Sequence, residues 1–285
     1  MIKKYCIVEL VLLLIVLSFF CTGCWNSKEV ESLAIATVVG VDYLNENGSD
    51  IWTVSVIILN PVGQEKGGEQ SSEKGGQGKL LLGKGKTLQE AVVDFSAHTS
   101  RTPYYGHIST FILGERVARK KMGDFTETIM RFWEDRPKTI VMVTKGTALE
   151  VLQTGPAVEK LFSKELKDLA MYKASGSGYS YGVIFSDFTA WLESPDRDAV
   201  ATLINVVPPD VPDSSPQNLI EGLAVFQGSK LVGWLNKEET RGYLLLTQKI
   251  SKGRMPITVT KDNKVFTYFL GISKSKIQPF VTGND

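Results

Sequence analysis

A mixed α/β (α+β) fold in more than one domain is predicted for this chain, with mixed sheets packed against helices and a partial third domain at the C-terminus. Three observations predict it. Runs rich in β-branched and aromatic residues alternate with stretches whose apolar residues recur at helical spacing behind capping residues. The 285 residues suffice for roughly two domains of about 100–200 residues each. Hydrophobic residues make up 43% of the chain, which is ordinary for a folded protein and excludes a disordered one. With 32 basic and 31 acidic side chains the net charge is +1, without the basic excess of a nucleic-acid binder.

The first element is an address. Lys3 and Lys4 precede an apolar run through Phe20, interrupted by Glu9 and Ser18, and Cys21-Thr22-Gly23-Cys24 follows. A positive start, an apolar stretch and then small residues are the anatomy of a secretory signal peptide. Thr22 and Gly23 immediately before Cys24 fit a lipoprotein signal, in which the Cys24 thiol takes a diacylglyceryl group and begins the mature chain. An uncleaved anchor would need about 20 apolar residues, and simple secretion would not need a cysteine at the cleavage point. Two acyl chains, at about 0.8 kcal/mol per buried CH₂, hold a protein on a bilayer where one does not. Loss of residues 1–23 removes Lys3, Lys4 and Glu9 and leaves the side chains of the mature chain balanced in charge. Domains are drawn at 1–23 (signal peptide), 24–150, 151–255 and 256–285.

Residues 33–42 and 51–60 read as a hairpin joined through Asn45-Glu46-Asn47-Gly48. Residues 63–78 hold six Gly and no apolar side chain, the composition of a surface loop, and 80–82 is a short strand. Thr87 and Glu90 form a capping-box pattern before Leu88, Ala91, Val92 and Phe95, one face of a helix. A strand is expected at 107–113, and Asp124 with Glu127 opens a helix burying Phe125, Ile129, Phe132 and Trp133. Residues 139–144 are an apolar strand, and Thr147 with Glu150 repeats the cap. Pro156 suits a helix start, with Val158, Leu161, Phe162, Leu166 and Leu169 as its stripe. Ser175-Gly176-Ser177-Gly178 breaks it, and Val183, Ile184, Phe188, Trp191 and Leu192 form a second stripe. The strand at 199–207 runs into Pro208, Pro209, Pro212 and Pro216, a stiff connector. Residues 220–226 and 230–235 make a hairpin through Gln227-Gly228-Ser229. A helix from about Lys237 and strands near 257–260 and 264–271 complete the chain.

An ordered series of short motifs carries a resemblance. Cys24-Trp25-Asn26 leads through Lys28-Glu29 and Leu33 to Gly40-Val41-Asp42. Tyr105-Gly106-His107-Ile108 leads to Gly114-Glu115, and Glu134-Asp135-Arg136-Pro137 follows. Gly222 to Phe226, Gly233-Trp234-Leu235 and Glu239-Thr240-Arg241-Gly242 close the series. Together they resemble the Ger(x)C family, the lipoprotein C subunits of bacterial spore germinant receptors. The resemblance runs from Cys24 to about Pro279. Family members continue through most of a third domain, whose opening strand 272–279 resembles; a fragment, a trimmed form and a truncated product all stay open.

Candidate chemistry is sparse. Residues 78–85 nearly spell a phosphate-binding loop, but Gly85 stands where a Mg²⁺-ligating Ser or Thr is needed and the interior is a Leu run. His98 reads as a packed or rim histidine, and His107 as a hydrogen-bonding group of the fold. Two His and no free Cys make a poor metal set, so neither metal nor cofactor is expected. No nucleophile elbow or zinc-protease motif is present. Asp135-Arg136-Pro137 is a salt-bridged helix stop, with docking as the alternative, since loops often carry function. Trp25 either contacts the membrane interface beside the lipid or packs on the first domain. Lys28-Glu29 and Glu238-Glu239 read as solvated faces.

The resemblance implies a non-enzymatic, lipid-anchored subunit at the outer face of the spore inner membrane. It would assemble with polytopic A and B subunits and act in receptor assembly and the triggering of germination. A small-solute-binding lipoprotein serving a transporter is the alternative, and it would need two similar lobes around a polar cleft.

Overall fold

The computed structural model describes residues 5, 7, 9, 11–13, 29–59, 78–132, 138–171, 178–209, 215–247, 255–261 and 264–270. Residues Met1–Leu33 form one unit and Ala34–Asp285 another. In the first, Val30–Ser32 is a 3-10 turn, closed by the Ser32 N–H and hydroxyl, which donate to the Glu29 carbonyl at 2.9 and 2.7 Å.

The second unit is built on one sheet. Strands β1 (Leu33–Glu46) and β2 (Ser49–Leu59) pair antiparallel across a two-residue turn. Asn47 (φ 51°) and Gly48 (φ 83°) supply the two positive φ angles such a turn needs. β3 (Lys79–Gly85) pairs with β2, while β5 (Thr110–Leu113), β6 (Ile140–Val143) and β7 (Ala199–Val207) run parallel beside β1. β8 (Gln217–Gln227) and β9 (Lys230–Leu235) extend the sheet antiparallel, giving the order β3-β2-β1-β5-β6-β7-β8-β9. A short β4 (Thr102–Tyr104) pairs with β1. The sheet continues across residue 150, since β6 is hydrogen-bonded to β7.

Seven α-helices of this unit are described. α1 (Leu88–Ala97), α2 (Glu115–Lys120), α3 (Met122–Phe132) and α6 (Phe185–Leu192) cover one face of the sheet. There Phe95, Phe125 and Phe188 are fully buried against Val39, Val41, Phe111 and Val141. The Phe111 and Phe125 rings meet edge to face at 5.5 Å, as do Phe188 and Phe226 at 5.2 Å. α4 (Ala148–Thr154) and α5 (Phe162–Met171) cover the other face, with Leu152, Leu166 and Ala170 on Val38, Ile112, Met142 and Ile204. α7 (Lys237–Leu246) follows β9. Helices on both faces explain why Phe111-Ile112-Leu113 and Val141-Met142-Val143 are unbroken apolar runs: neither side of these strands meets water. Each large apolar side chain so buried contributes about 1.5–3 kcal/mol. A two-stranded sheet of β10 (Met255–Lys261) and β11 (Lys264–Leu270) completes the described residues.

A mixed α/β fold is therefore what the chain forms, and the deviations from local expectation have identifiable causes. The helix expected from Pro156 begins instead at Phe162, and Val158 is 92% exposed. The buried Glu165 carboxylate reaches back and accepts the N–H groups of Ala157, Val158 and Glu159 at 2.9–3.1 Å, so the preceding segment needs no helical partners. Val183 and Ile184 precede α6 as extended chain, with the Val183 carbonyl accepting from Val141 N–H. Residues 107–109 lie outside β5, because Ile108 N–H closes a turn on the Tyr105 carbonyl. Thr37 is a bulge in β1 whose hydroxyl donates to the Ile57 carbonyl at 3.1 Å. The extra residue keeps Ala34 and Ala36 on the same face as Val39 and Val41. The expectations for 63–77, Trp133, Ser175–Ser177, Pro212 and Gly271 lie outside the described residues.

Candidate functional site

Two constellations gather the motif residues, one at the joint between β1 and α4, the other between β8, β9 and α7. At the first, strand parity turns Val38, Gly40 and Asp42 toward α4. Asp42 is 1% exposed, and its carboxylate accepts the N–H of Ala148 at 2.8 Å and of Leu149 at 3.1 Å. It thus caps α4 from 106 residues away, beside the Thr147–Glu150 capping box. Burial pushes the Asp42 carboxyl up to about 6, against the pull of its two backbone donors and with a smaller push from Glu150.

The neighbouring glycines make room for this contact. A Cβ on Gly114 would stand 2.1 Å from Asp42 Oδ1, and one on Gly40 would stand 3.0 Å from the Ala148 Cβ. Gly146, next along, accepts from the Glu115 N–H at 3.3 Å. Gly40-Val41-Asp42, Gly114-Glu115 and Thr147–Glu150 are therefore one joint at the C-terminal ends of β1, β5 and β6. Open α/β sheets commonly receive an anionic ligand at such strand ends, against a helix N-terminus. Here the chain's own carboxylate fills that seat.

The second constellation surrounds a cavity of about 540 Å³ lined by Lys145, Glu221, Trp234, Asn236, Lys237 and Glu238, among others. The β7–β8 register shifts between Leu203↔Gly222 and Ile204↔Ile220, which leaves Glu221 as a bulge residue. Gly222 has φ 142° and a Cβ there would lie 1.9 Å from the Leu235 carbonyl oxygen, so only glycine fits. Asn205 ties the bulge down. Its Oδ1 accepts from Lys145 N–H (2.9 Å) and the Thr144 hydroxyl (3.2 Å), and its Nδ2 donates to Glu221 Oε2 at 2.5 Å. The Lys145 ammonium stands 5.7 Å from the centre of the Trp234 ring. Asn236 and Glu239 close a capping box on α7, so Glu239 is a structural cap rather than only a solvated charge.

A second cavity, of about 400 Å³, is lined by Tyr43, Trp52, Lys86, Lys121 and Arg131 with their acids. Lys121 pairs with Asp124 at 2.8 Å and Arg131 with Glu127 at 2.7 Å.

Cys24, Trp25, Lys28 and Glu134 to Pro137 lie outside the described residues. His98 ends α1, half exposed, with Nε2 3.9 Å from Asp94. His107 is exposed, its ring edge-on to Tyr104 at 5.6 Å. The phosphate-loop-like stretch is β3. Its Gly83 and Gly85 let α1 approach, since a Cβ at Gly83 would lie 2.1 Å from the Ala91 carbonyl oxygen. The Thr87 cap holds, but Glu90 accepts from Lys86 N–H rather than from Thr87. Among the described residues, no three or more His, Cys, Asp or Glu gather as a metal site, and no helix is long and apolar enough to cross a membrane. Asp42, Gly222 and Trp234 lay inside motifs that suggested no chemistry, and Asn205, Lys145 and Glu221 carried no sequence signal at all.

Residues 26–206 match the family model described as the spore germination protein N-terminal domain, and residues 221–285 match the one described as spore germination B3/GerAC like, C-terminal. The chain is 25% identical over 240 residues to the putative spore germination protein YfkR of Bacillus subtilis (strain 168), covering 82% of this chain and 59% of that one. It is 24% identical to spore germination protein KC of the same organism (88% and 63%) and 24% identical to spore germination protein B3 (91% and 66%). The chain thus spans about three fifths to two thirds of the length of these relatives. No solved structure matches it.

Proposed function

This chain belongs to the GerAC-like family of spore germination proteins, and from that premise we propose that it is a lipid-anchored, non-catalytic subunit of a nutrient germinant receptor. Its role in germination would be assembly and triggering of that receptor, beside polytopic A and B subunits at the outer face of the spore inner membrane. The observation that carries the reading is the Cys24 signal standing directly before the residues that match the family. Acyl chains on Cys24 would confine the folded unit to a plane and raise its effective concentration toward membrane partners. Trp25, next to the lipid, would sit at the interface depth. The polar motif residues support a non-catalytic role, because Asp42 and Glu239 are spent on structure, each capping a helix.

The solute-binding alternative gains no support, since the described strands β1 to β9 belong to one sheet rather than to two similar lobes around a cleft. The test is Cys24→Ala, followed by membrane fractionation and nutrient-triggered germination. Release from membranes with impaired germination is expected. Normal retention and normal germination would refute the tether.

A further inference from the structure

We infer that the cavity between β8, β9 and α7 binds an organic cation, a primary ammonium or guanidinium group, paired to Glu221 and covered by the Trp234 ring. The argument starts from the bulge. An in-register β8 would place residue 221 within the ladder; the bulge at Gly222 instead sets Glu221 on the cavity wall. Asn205 fixes its orientation. With Asn205 Oδ1 taken by Lys145 N–H and the Thr144 hydroxyl, Nδ2 must face Glu221 and holds Oε2. Among the described residues nothing donates to Oε1, which leaves a fixed carboxylate with one free oxygen beside an aromatic wall. That pairing of an anion with a ring face is a seat for a cation.

The sign of the ligand follows from what the other charges already do. The N-terminus of α7, where an anion would go, is closed: Asn236 Oδ1 accepts from both Glu238 N–H and Glu239 N–H at 2.9 Å. Both lysines of the wall lie over rings, Lys145 over Trp234 at 5.7 Å and Lys237 over Tyr179 at 5.3 Å. Neither ammonium is within salt-bridge distance of Glu221 among the described residues. The chain's own Lys145 therefore occupies the aromatic half of the seat and leaves the carboxylate half open. An incoming cation takes the carboxylate and displaces Lys145 from the ring. At about 540 Å³ the cavity has the size of small-ligand sites.

The cation is either a free small molecule or a basic side chain of another polypeptide. Calorimetric titration of the full chain in detergent micelles separates the two, using propylguanidinium, butylammonium, uncharged butanol and an end-blocked Gly-Arg-Gly peptide. Saturable binding of the cations and not of butanol is expected. Equal affinity for propylguanidinium and the peptide assigns a free ligand, and much tighter peptide binding assigns a partner's side chain. Glu221→Gln keeps the Asn205 bond and the fold but removes the charge, and should weaken binding by about tenfold or more. Lys145→Met removes the internal competitor and should tighten binding several-fold. The indole N–H resonance of Trp234 should shift on saturation in the wild type. No saturable binding up to about 10 mM, equal affinity in Glu221→Gln, or weaker binding in Lys145→Met would each overturn the assignment.

Discussion

Replacement of Gly114 by alanine should be expensive for one reason that can be isolated. Gly114 has φ −65° and ψ 153°, a backbone that alanine adopts freely, so conformational strain is not involved. Its added Cβ would meet Asp42 Oδ1 at 2.1 Å, whereas the Gly146 carbonyl oxygen at 3.5 Å is an ordinary contact. The carboxylate must move, and it is what satisfies the N–H groups of Ala148 and Leu149. Each orphaned donor costs about 1–3 kcal/mol, so Gly114→Ala should destabilise the fold by about 2–5 kcal/mol. Asp42→Ala should cost a similar amount by leaving the same donors bare. In the Asp42→Ala background the obstruction is gone, and Gly114→Ala should then be neutral or stabilising by about 0.4–1 kcal/mol through the unfolded chain. The assay is a double-mutant cycle on unfolding free energy, with an expected coupling of about 2–6 kcal/mol between the two sites. Additive effects, or a cost below about 0.5 kcal/mol for Gly114→Ala alone, would refute the account of the joint.

Two further outcomes follow from buried carboxylates. The Asp42 carboxyl rises from 3.8 to about 6 on folding, so the folded state binds the proton more tightly than the unfolded chain. Its contribution to stability is then fully present below about pH 3.8, declines as pH rises and is lost above about pH 6. The difference in melting temperature between wild type and Asp42→Asn, which cannot titrate, should therefore shift in favour of the wild type as pH is lowered from 7 to 4; a flat difference would count against the shift. Glu165→Gln should loosen the segment before α5, because Oε2, which accepts all three N–H groups, loses its negative charge, and an NH₂ group replaces the Oε1 that shares the Ala157 N–H. Faster hydrogen exchange at Ala157, Val158 and Glu159 is expected, with a stability loss of about 1–3 kcal/mol. Unchanged exchange at those amides would show that other contacts hold the segment.

How much of this was legible beforehand depended on how far apart the interacting residues lie. Asn47-Gly48 announced its turn, the apolar spacing of Leu88, Ala91, Val92 and Phe95 announced α1, and Thr147 with Glu150 announced the cap of α4. In each case the residues that make the element are within a few positions of one another. Val158 misled because its spacing fits a helix while Glu165, seven residues on, already satisfies its N–H. The candidate site was legible only as motifs without chemistry. Gly114 and Asp42 stood out in separate stretches, and nothing in either showed that one exists to make space for the other.

By itself the sequence determined the mixed α/β class of the chain and its set of local turns and caps. These depend on hydrophobic period, on φ preferences and on side chains reaching their own backbone. The tertiary structure alone decided that β6 and β7 share one sheet, that a carboxylate on β1 caps a helix 106 residues later, and that Asn205 holds Glu221 at a cavity. Hydrogen bonds and close approaches between distant segments leave no periodic mark in the chain. Each is set only when packing brings both partners within about 3 Å of one another.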